Sequence, residues 1–233
     1  MPTIYAATTD RDINSGVQSS WSGARDASSG TLGGSASDAS ELFAAGAAIF
    51  SGRGSSTYKV WRSFFEFDTS GITGTLSAGT LKLYFSNDTG NGNIIIIKSD
   101  AFTGGSSALV ADDFNNLDFS TPYSGEVDTT VTGLTSITLN ATALADIKNN
   151  NSFKFALINY EYDYGGGSGT APTATLGHYV GVRFANYTGT SSDPQIDYTI
   201  ATGYANRVIG VTNSNIGKVN GVLTSSIDKV IGI

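Results

Sequence analysis

The sequence predicts an all-β protein on three observations. Only 14% of its 233 residues are charged while 29 are glycine, a composition of short strands joined by small-residue turns. Apolar and polar residues alternate with a period of two in several stretches, most clearly from Val60 to Asp68. The C-terminal part repeats a unit in which β-branched residues flank a glycine, which suits strand and turn better than helix. This length is ample for one buried core, as a single domain or a domain with an appendage.

Residues 14–57 are dominated by Ser, Gly and Ala, broken by Trp21, Leu42-Phe43 and Ile49-Phe50. Without a sustained period they read as long surface loops with short strands between. From Val60 to Asp68, Trp61, Phe65 and Phe67 fall on one face and Arg62, Phe64, Glu66 and Asp68 on the other, predicting a central strand. After a turn at 69–75, Leu81, Leu83 and Phe85 alternate with Lys82 and Tyr84. The unbroken run Ile94-Ile95-Ile96-Ile97 predicts a strand buried on both sides, and Gly90-Asn91-Gly92-Asn93 supplies the positive-φ residues of the turn before it.

Asn140 to Lys148 is the one stretch that reads as helix: Asn140 can cap its first turn, and Leu144 with Ile147 forms a short apolar stripe. Phe153 to Tyr160 and Tyr179 to Phe184 return to strand patterns. The glycine tract at 165–169 between them predicts a mobile or ligand-facing loop, and Ile196 to Ile200 a closing strand. Some eight to ten strands around one short helix predict an antiparallel two-sheet sandwich of jelly-roll type over residues 1–200. Residues 201–206 then form a linker to a C-terminal β-repeat, 207–233.

In that repeat Arg207-Val208-Ile209-Gly210-Val211, Lys218-Val219-Asn220-Gly221-Val222 and Lys229-Val230-Ile231-Gly232-Ile233 begin at 207, 218 and 229, a period of 11. Ser214 with Ser225 and Ile216 with Ile227 keep the same register. An eleven-residue apolar period also suits a right-handed coiled coil, but a glycine in every copy beside β-branched neighbours disfavours helix. On a strand Ile209 and Val211 share one face, and Gly210 on the other lets a second backbone approach. The third copy stops with its apolar residues uncovered, so a partner is expected to complete it, most simply other copies of the chain as a trimer. The expected anchor is Val208, Ile209, Gly210, Val211, Ile216, Val219, Gly221, Val222, Ile227, Val230, Ile231, Gly232 and Ile233.

A formal net charge of −7, with the 13 basic residues scattered singly, argues against a nucleic-acid partner. No secretory signal and no membrane span is legible, which predicts a soluble chain made in the cytoplasm. The absence of cysteine excludes disulfides and thiolate chemistry and frees stability from redox compartment, so the protein can work outside a cell.

The run Arg62-Ser63-Phe64-Phe65-Glu66-Phe67-Asp68-Thr69-Ser70-Gly71-Ile72, followed by Leu76-Ser77-Ala78-Gly79-Thr80-Leu81-Lys82-Leu83-Tyr84, resembles the core of DNRLRE-type and related carbohydrate-binding-like jelly rolls. Asp193-Pro194-Gln195-Ile196-Asp197-Tyr198 is similar to that family's closing strand, so the likeness spans roughly residues 2 to 200, with Gly79 where a bulkier residue is usual. The K-V-x-G-V units separately resemble segments of bacteriophage structural proteins, which implies a virion component. Neither resemblance implies a catalytic residue.

Chemistry-bearing residues are few. His178 has neither a serine motif nor a second histidine, so a structural or exposed role is expected. Asp112 and Asp113, if extended, point to opposite faces; Glu161 and Asp163 can share a face but read as a solvated strand end rather than a glycosidase pair. Asp10, Asp12 and Asn14 alternate like calcium ligands, so calcium is the one cofactor contemplated. Trp21, Tyr123, Tyr162, Tyr164 and Tyr187 lie in or beside loops where rings can stack on sugars, with Tyr162, Tyr164 and Trp21 the candidates for host-surface glycans. The expectation is a non-enzymatic virion protein, a capsid decoration, head-fibre or tail-fibre component, that contacts other virion proteins. A carbohydrate-recognition module or an extracellular filament subunit is the alternative.

Overall fold

The computed structural model describes residues 1–33, 41–52, 55–90, 92–106, 108–167, 169–173, 177–187, 189–201, 218–219 and 222–223. The fold is all-β. Twelve strands form one antiparallel hydrogen-bonded network: β1 (Thr3–Tyr5), β2 (Arg11–Asn14), β3 (Thr31–Leu32), β4 (Glu41–Ser51), β5 (Ser56–Asp68), β6 (Leu76–Thr89), β7 (Ile94–Ser99), β8 (Leu117–Pro122), β9 (Gly133–Thr138), β10 (Ser152–Asn159), β11 (Gly177–Val182) and β12 (Gln195–Ile200). Their order is β1-β12-β6-β11-β4-β5-β10-β7-β8, with β2 added to β5, β3 to β2 and β9 to β6.

The predicted central strand, β5, is interior to this order, between β4 and β10. In β5 the alternation sends Phe65 and Phe67 into one apolar cluster and Val60 and Phe64 into another on the opposite face. The first cluster collects Leu81, Leu83 and Phe85 of β6, Phe153 and Phe155 of β10, Val180 and Val182 of β11 and Ile196 of β12. The second, with Ala156, Ile158 and Phe114, is roofed by a five-residue helix α1 (Trp21–Arg25) and the segment around Phe102 and Leu109. Two cores against one layer explain the isoleucine run: Ile94 and Ile96 enter the first, Ile95 and Ile97 the second, and all four are buried. Ring pairs, Phe65 stacked on Phe155 at 5.1 Å and Phe153 tilted against Tyr123 at 5.0 Å, fill the first core.

Helix α2 (Ala141–Asn149) starts where its cap predicts, with the Asn140 side chain accepting from the Ala143 N–H and Ile147 buried beneath. Gly79, the departure inside β6, makes room for it: a Cβ there would lie 2.7 Å from Leu144 Cδ2. The stretch 14–57 is a correction. Its loops are interrupted by α1, which Ser20 caps through the Gly23 N–H, and by the eleven residues of β4. In β4 Ala44, Ala45, Ala47 and Ala48 are buried, and Gly46 carries no side chain because a Cβ would fall 2.5 Å from Tyr179 Cβ. A strand buried by small residues on both faces has no alternation to reveal it.

Ile196 to Ile200 belongs to β12, yet that strand does not close the sheet, because β1 pairs outside it from Thr3↔Asp197 to Tyr5↔Gln195. Residues 202–217, 220, 221 and 224–233 lie outside the described residues, so all of the 201–206 linker but Ala201 and most of the repeat do too. Of the repeat, Lys218–Val219 (β13) and Val222–Leu223 (β14) form a separate antiparallel pair, Val219 opposite Val222 and Lys218 opposite Leu223.

Candidate functional site

Of the anchor residues, Val219 and Val222 are register partners in the β13–β14 ladder. Val208, Ile209, Gly210, Val211, Ile216, Gly221, Ile227, Val230, Ile231, Gly232 and Ile233 lie outside the described residues. Within the second copy Lys218–Val219 and Val222–Leu223 are strand, in keeping with their valines.

The segment after β10 is not a solvated strand end. Residues Tyr160–Tyr164 form one π-helical turn, stopped by Gly165 at φ 48°. Asp163 is fully buried there and accepts from both Nε and Nη2 of Arg62 at 2.8 Å, a two-pronged charged pair with no solvent access. The same guanidinium donates to the carbonyls of Phe114 at 2.9 Å and Arg25 at 2.6 Å and lies over the Phe114 ring at 4.2 Å. Glu161, by contrast, is exposed, so the two carboxylates do not face a common cleft. Arg25 donates to the Asp163 carbonyl at 2.8 Å, and a Cβ on Gly169 would meet Arg25 Nε at 2.3 Å, so α1 packs against the glycine tract.

The candidate glycan-stacking rings divide. Tyr164 stacks on Tyr160 at 5.9 Å and Trp21 meets Tyr58 edge-on at 6.2 Å, all four half-buried along the rim of the second core. Tyr162 instead lies 4.4 Å from His178, which is buried on β11 opposite Ala47 rather than exposed at an edge. Burial holds the His178 imidazole below its ordinary pKa, only partly opposed by Glu161. Tyr123 is also a correction, being 1% exposed rather than a loop ring, and Tyr187 stacks on the Arg183 guanidinium at 3.9 Å.

Asp113 is likewise buried. In the 3-10 turn Ala111–Asn115 it accepts from the Phe102 N–H at 2.9 Å, the Thr103 hydroxyl at 2.7 Å, the Val110 N–H at 2.9 Å and Asn116 Nδ2 at 2.9 Å. That set of donors ties together the cover of the second core, while Asp112 points outward.

Asp10, Asp12 and Asn14 do not converge as one calcium-ligand set. Asp10 accepts from the Ala185 N–H at 3.1 Å, whereas Asn14 accepts from the Gly16 N–H and donates to the Thr31 carbonyl. Asp12 sits under the backbone of Gly33, where a Cβ would strike its carboxylate. Among the described residues no group of three or more His, Cys, Asp or Glu is spaced to hold a metal.

One feature had no sequence signal at all. A cleft of about 580 Å³ opens between the ends of α2, β7 and β10, lined among others by Lys98, Asp100, Tyr123, Asp146, Asn150 and Lys154. Asp146 Oδ2 accepts from Tyr123 Oη at 2.5 Å and Lys98 Nζ at 3.1 Å. Lys154 Nζ donates to the Ala101 carbonyl at 3.1 Å. Burial first, and then the bond to Asp146, raises the Tyr123 phenol well above its ordinary pKa, so it stays a protonated donor. The wall offers donors and acceptors of both charges with its side chains already braced against one another. No helix among the described residues is long and apolar enough to cross a membrane. No protein-family model matches the chain, and no curated relative does.

Proposed function

We propose that the chain is a bacteriophage virion structural protein: a jelly-roll domain displayed on the particle, without catalytic chemistry, and held by its C-terminal repeat. The observation that carries this reading is the pairing of β13 with β14 as a sheet of their own, apart from the twelve-stranded network. A strand pair this short is not stable alone in water, so it favours being continued by strands outside it, from other copies of the chain or another virion protein. The two-sheet jelly-roll assignment draws support from the wholly antiparallel pairing and from the first core, which packs β6, β11 and β12 against β5, β7 and β10. The host cell supplies the cytoplasm in which such a chain is made, and lysis releases it.

Light scattering after size exclusion, on the full chain and on a chain ending at residue 206, tests the proposal. The full chain is expected to run as a trimer and the truncated one as a monomer that no longer enters particles. Unchanged assembly of the truncated chain overturns it.

The polar cleft favours a second reading, recognition of a host-surface saccharide, because sugars are bound by bidentate amide, carboxylate and ammonium groups of the kind that line it. Saturable binding on a glycan array, lost on Asp146→Ala but not on the double change Tyr162→Ala, Tyr164→Ala, supports the cleft; the opposite pattern supports the rim aromatics.

A further inference from the structure

We propose that β9 is the acceptor edge of the domain, on which a strand of the repeat 207–233 of a neighbouring copy is added; this rests on the reading of the repeat as the anchor. β9 pairs with β6 alone. An antiparallel ladder turns the N–H and C=O groups of successive residues alternately toward and away from the partner strand. The Leu139 N–H donates to the Gly79 carbonyl, whereas the Tyr84 carbonyl accepts from the Arg183 N–H on the other side of β6. The odd-numbered residues of β6 and β9 therefore bond one another, and the N–H and C=O groups of Leu134, Ser136 and Thr138 point off the sheet.

The other edge strands among the described residues are guarded. β1 is three residues long, and the chain after it closes onto β5 through the Ala6–Phe67 bridge and the Ala7 N–H on the Glu66 carbonyl. β3 has two residues. β8 ends in Pro122, and its Asp118 carboxylate takes the Ser120 N–H and the Ser120 and Thr121 hydroxyls. β9 has six residues with neither charge nor proline, and apolar side chains stand out at its start, Leu134 being 45% and Val131 73% exposed. An edge of this kind is a template for another strand.

Charge selects the strand that fits. The repeat holds Arg207, Lys218 and Lys229 against one acid, Asp228, in a chain of 13 bases and 20 acids, so the negative excess lies wholly outside it. β9 belongs to a stretch of the opposite sign: no base occurs between Lys98 and Lys148, and Glu126 and Asp128 are exposed just before the strand. Lys82, opposite Ser136 on β6, is neutralised by Asp197 at 2.6 Å. Two β9 edges paired with each other would set these acids against their own kind, whereas a repeat strand brings a base together with its valines. β13 and β14 form a sheet of their own, so each has a single partner strand and a side on which to add another.

The chain has no cysteine, so introduced thiols report on one contact alone. Full chains carrying Leu134→Cys, Ser136→Cys or Thr138→Cys are mixed with full chains carrying Val219→Cys or Val222→Cys and oxidised. At least one combination is expected to give a disulfide between two chains, in far higher yield than either variant oxidised alone. Ser136→Pro is the block: its N–H points off the sheet, so the ring spares the β6–β9 ladder and removes a donor that an added strand needs. Light scattering is expected to read a single chain for Ser136→Pro where wild type reads several, with the circular dichroism unchanged. Two results overturn the proposal: no inter-chain disulfide from any combination together with wild-type mass for Ser136→Pro, or a disulfide formed inside one chain when both thiols are placed in it. In the first case a chain ending at residue 206 that runs singly keeps the repeat as the anchor and moves its acceptor elsewhere, whereas a wild-type chain that runs singly removes the anchor itself. The thiol mixing decides if Ser136→Pro fails to fold.

Discussion

Asp163 lies 101 residues from Arg62 along the chain and 2.8 Å from it in space, with both side chains fully buried. A pair so enclosed is costly to break from one side, because the surviving charge stays in a medium that cannot solvate it. Asp163→Ala is therefore expected to cost about 3–5 kcal/mol in urea unfolding. The double change Arg62→Met, Asp163→Leu should cost less than the sum of the single changes, recovering only in part, since the Phe114 and Arg25 carbonyls lose their donor. Asp197 offers a contrasting, partly exposed case. Hydrogen bonds from Lys82 and Thr3 hold its carboxyl below the usual carboxylate range, with the lysine 2.6 Å away. Because the folded value is the lower one, this contribution is present above the unfolded value of about 3.9 and is lost as pH falls through the folded value. The urea-midpoint gap between wild type and Asp197→Asn should accordingly be wide at neutral pH and shrink in acid; a gap of constant size would assign the loss to packing instead.

At the scale of the element, what can be read from the chain is what is periodic. β5, β6, β7 and α2 all emerge from their alternation, from an isoleucine run or from a cap, because each lays a local pattern on a defined face. β4 and α1 do not emerge: alanine favours helix by propensity, and five residues are too few to show a helical period. The Arg62–Asp163 pair and the polar cleft are illegible for another reason, since each joins residues from distant strands that only the pairing order brings together. The glycines of β4 and β6 allow a direct comparison. At Gly46 a new methyl meets Tyr179 Cβ at 2.5 Å and the His178 carbonyl at 2.6 Å, atoms fixed by the β4–β11 ladder; at Gly79 its one close contact is the tip of Leu144 at 2.7 Å, with Leu139 at ordinary distance. Gly46→Ala should thus cost about 1–3 kcal/mol and Gly79→Ala distinctly less, with Gly71→Ala, where nothing lies within 4 Å, as the neutral control. Equal losses at 46 and 79 would mean that the β4–β11 approach is softer than its spacing implies.

For the whole molecule the question is whether the repeat and the twelve-stranded network depend on one another for stability. Both apolar clusters draw their members from residues 4–198, and the terminal strand β1 is held by β12 within the same network. If that network is self-sufficient, removing everything after residue 201 should leave Tm within a few degrees of the full chain, while changing the mass of the particle in solution. The reverse outcome, a large fall in Tm with unchanged mass, would mean that the repeat lies back on its own domain, and the proposed assembly would then have no surface to act through. Concentration dependence separates the two further: a domain stabilised by neighbouring copies gains Tm as protein concentration rises, whereas one covered by its own tail does not. Scanning the full and shortened chains over a wide range of concentrations therefore separates the alternatives, and a mass of several chains seen only when residues 207–233 are present is the result that the virion reading requires.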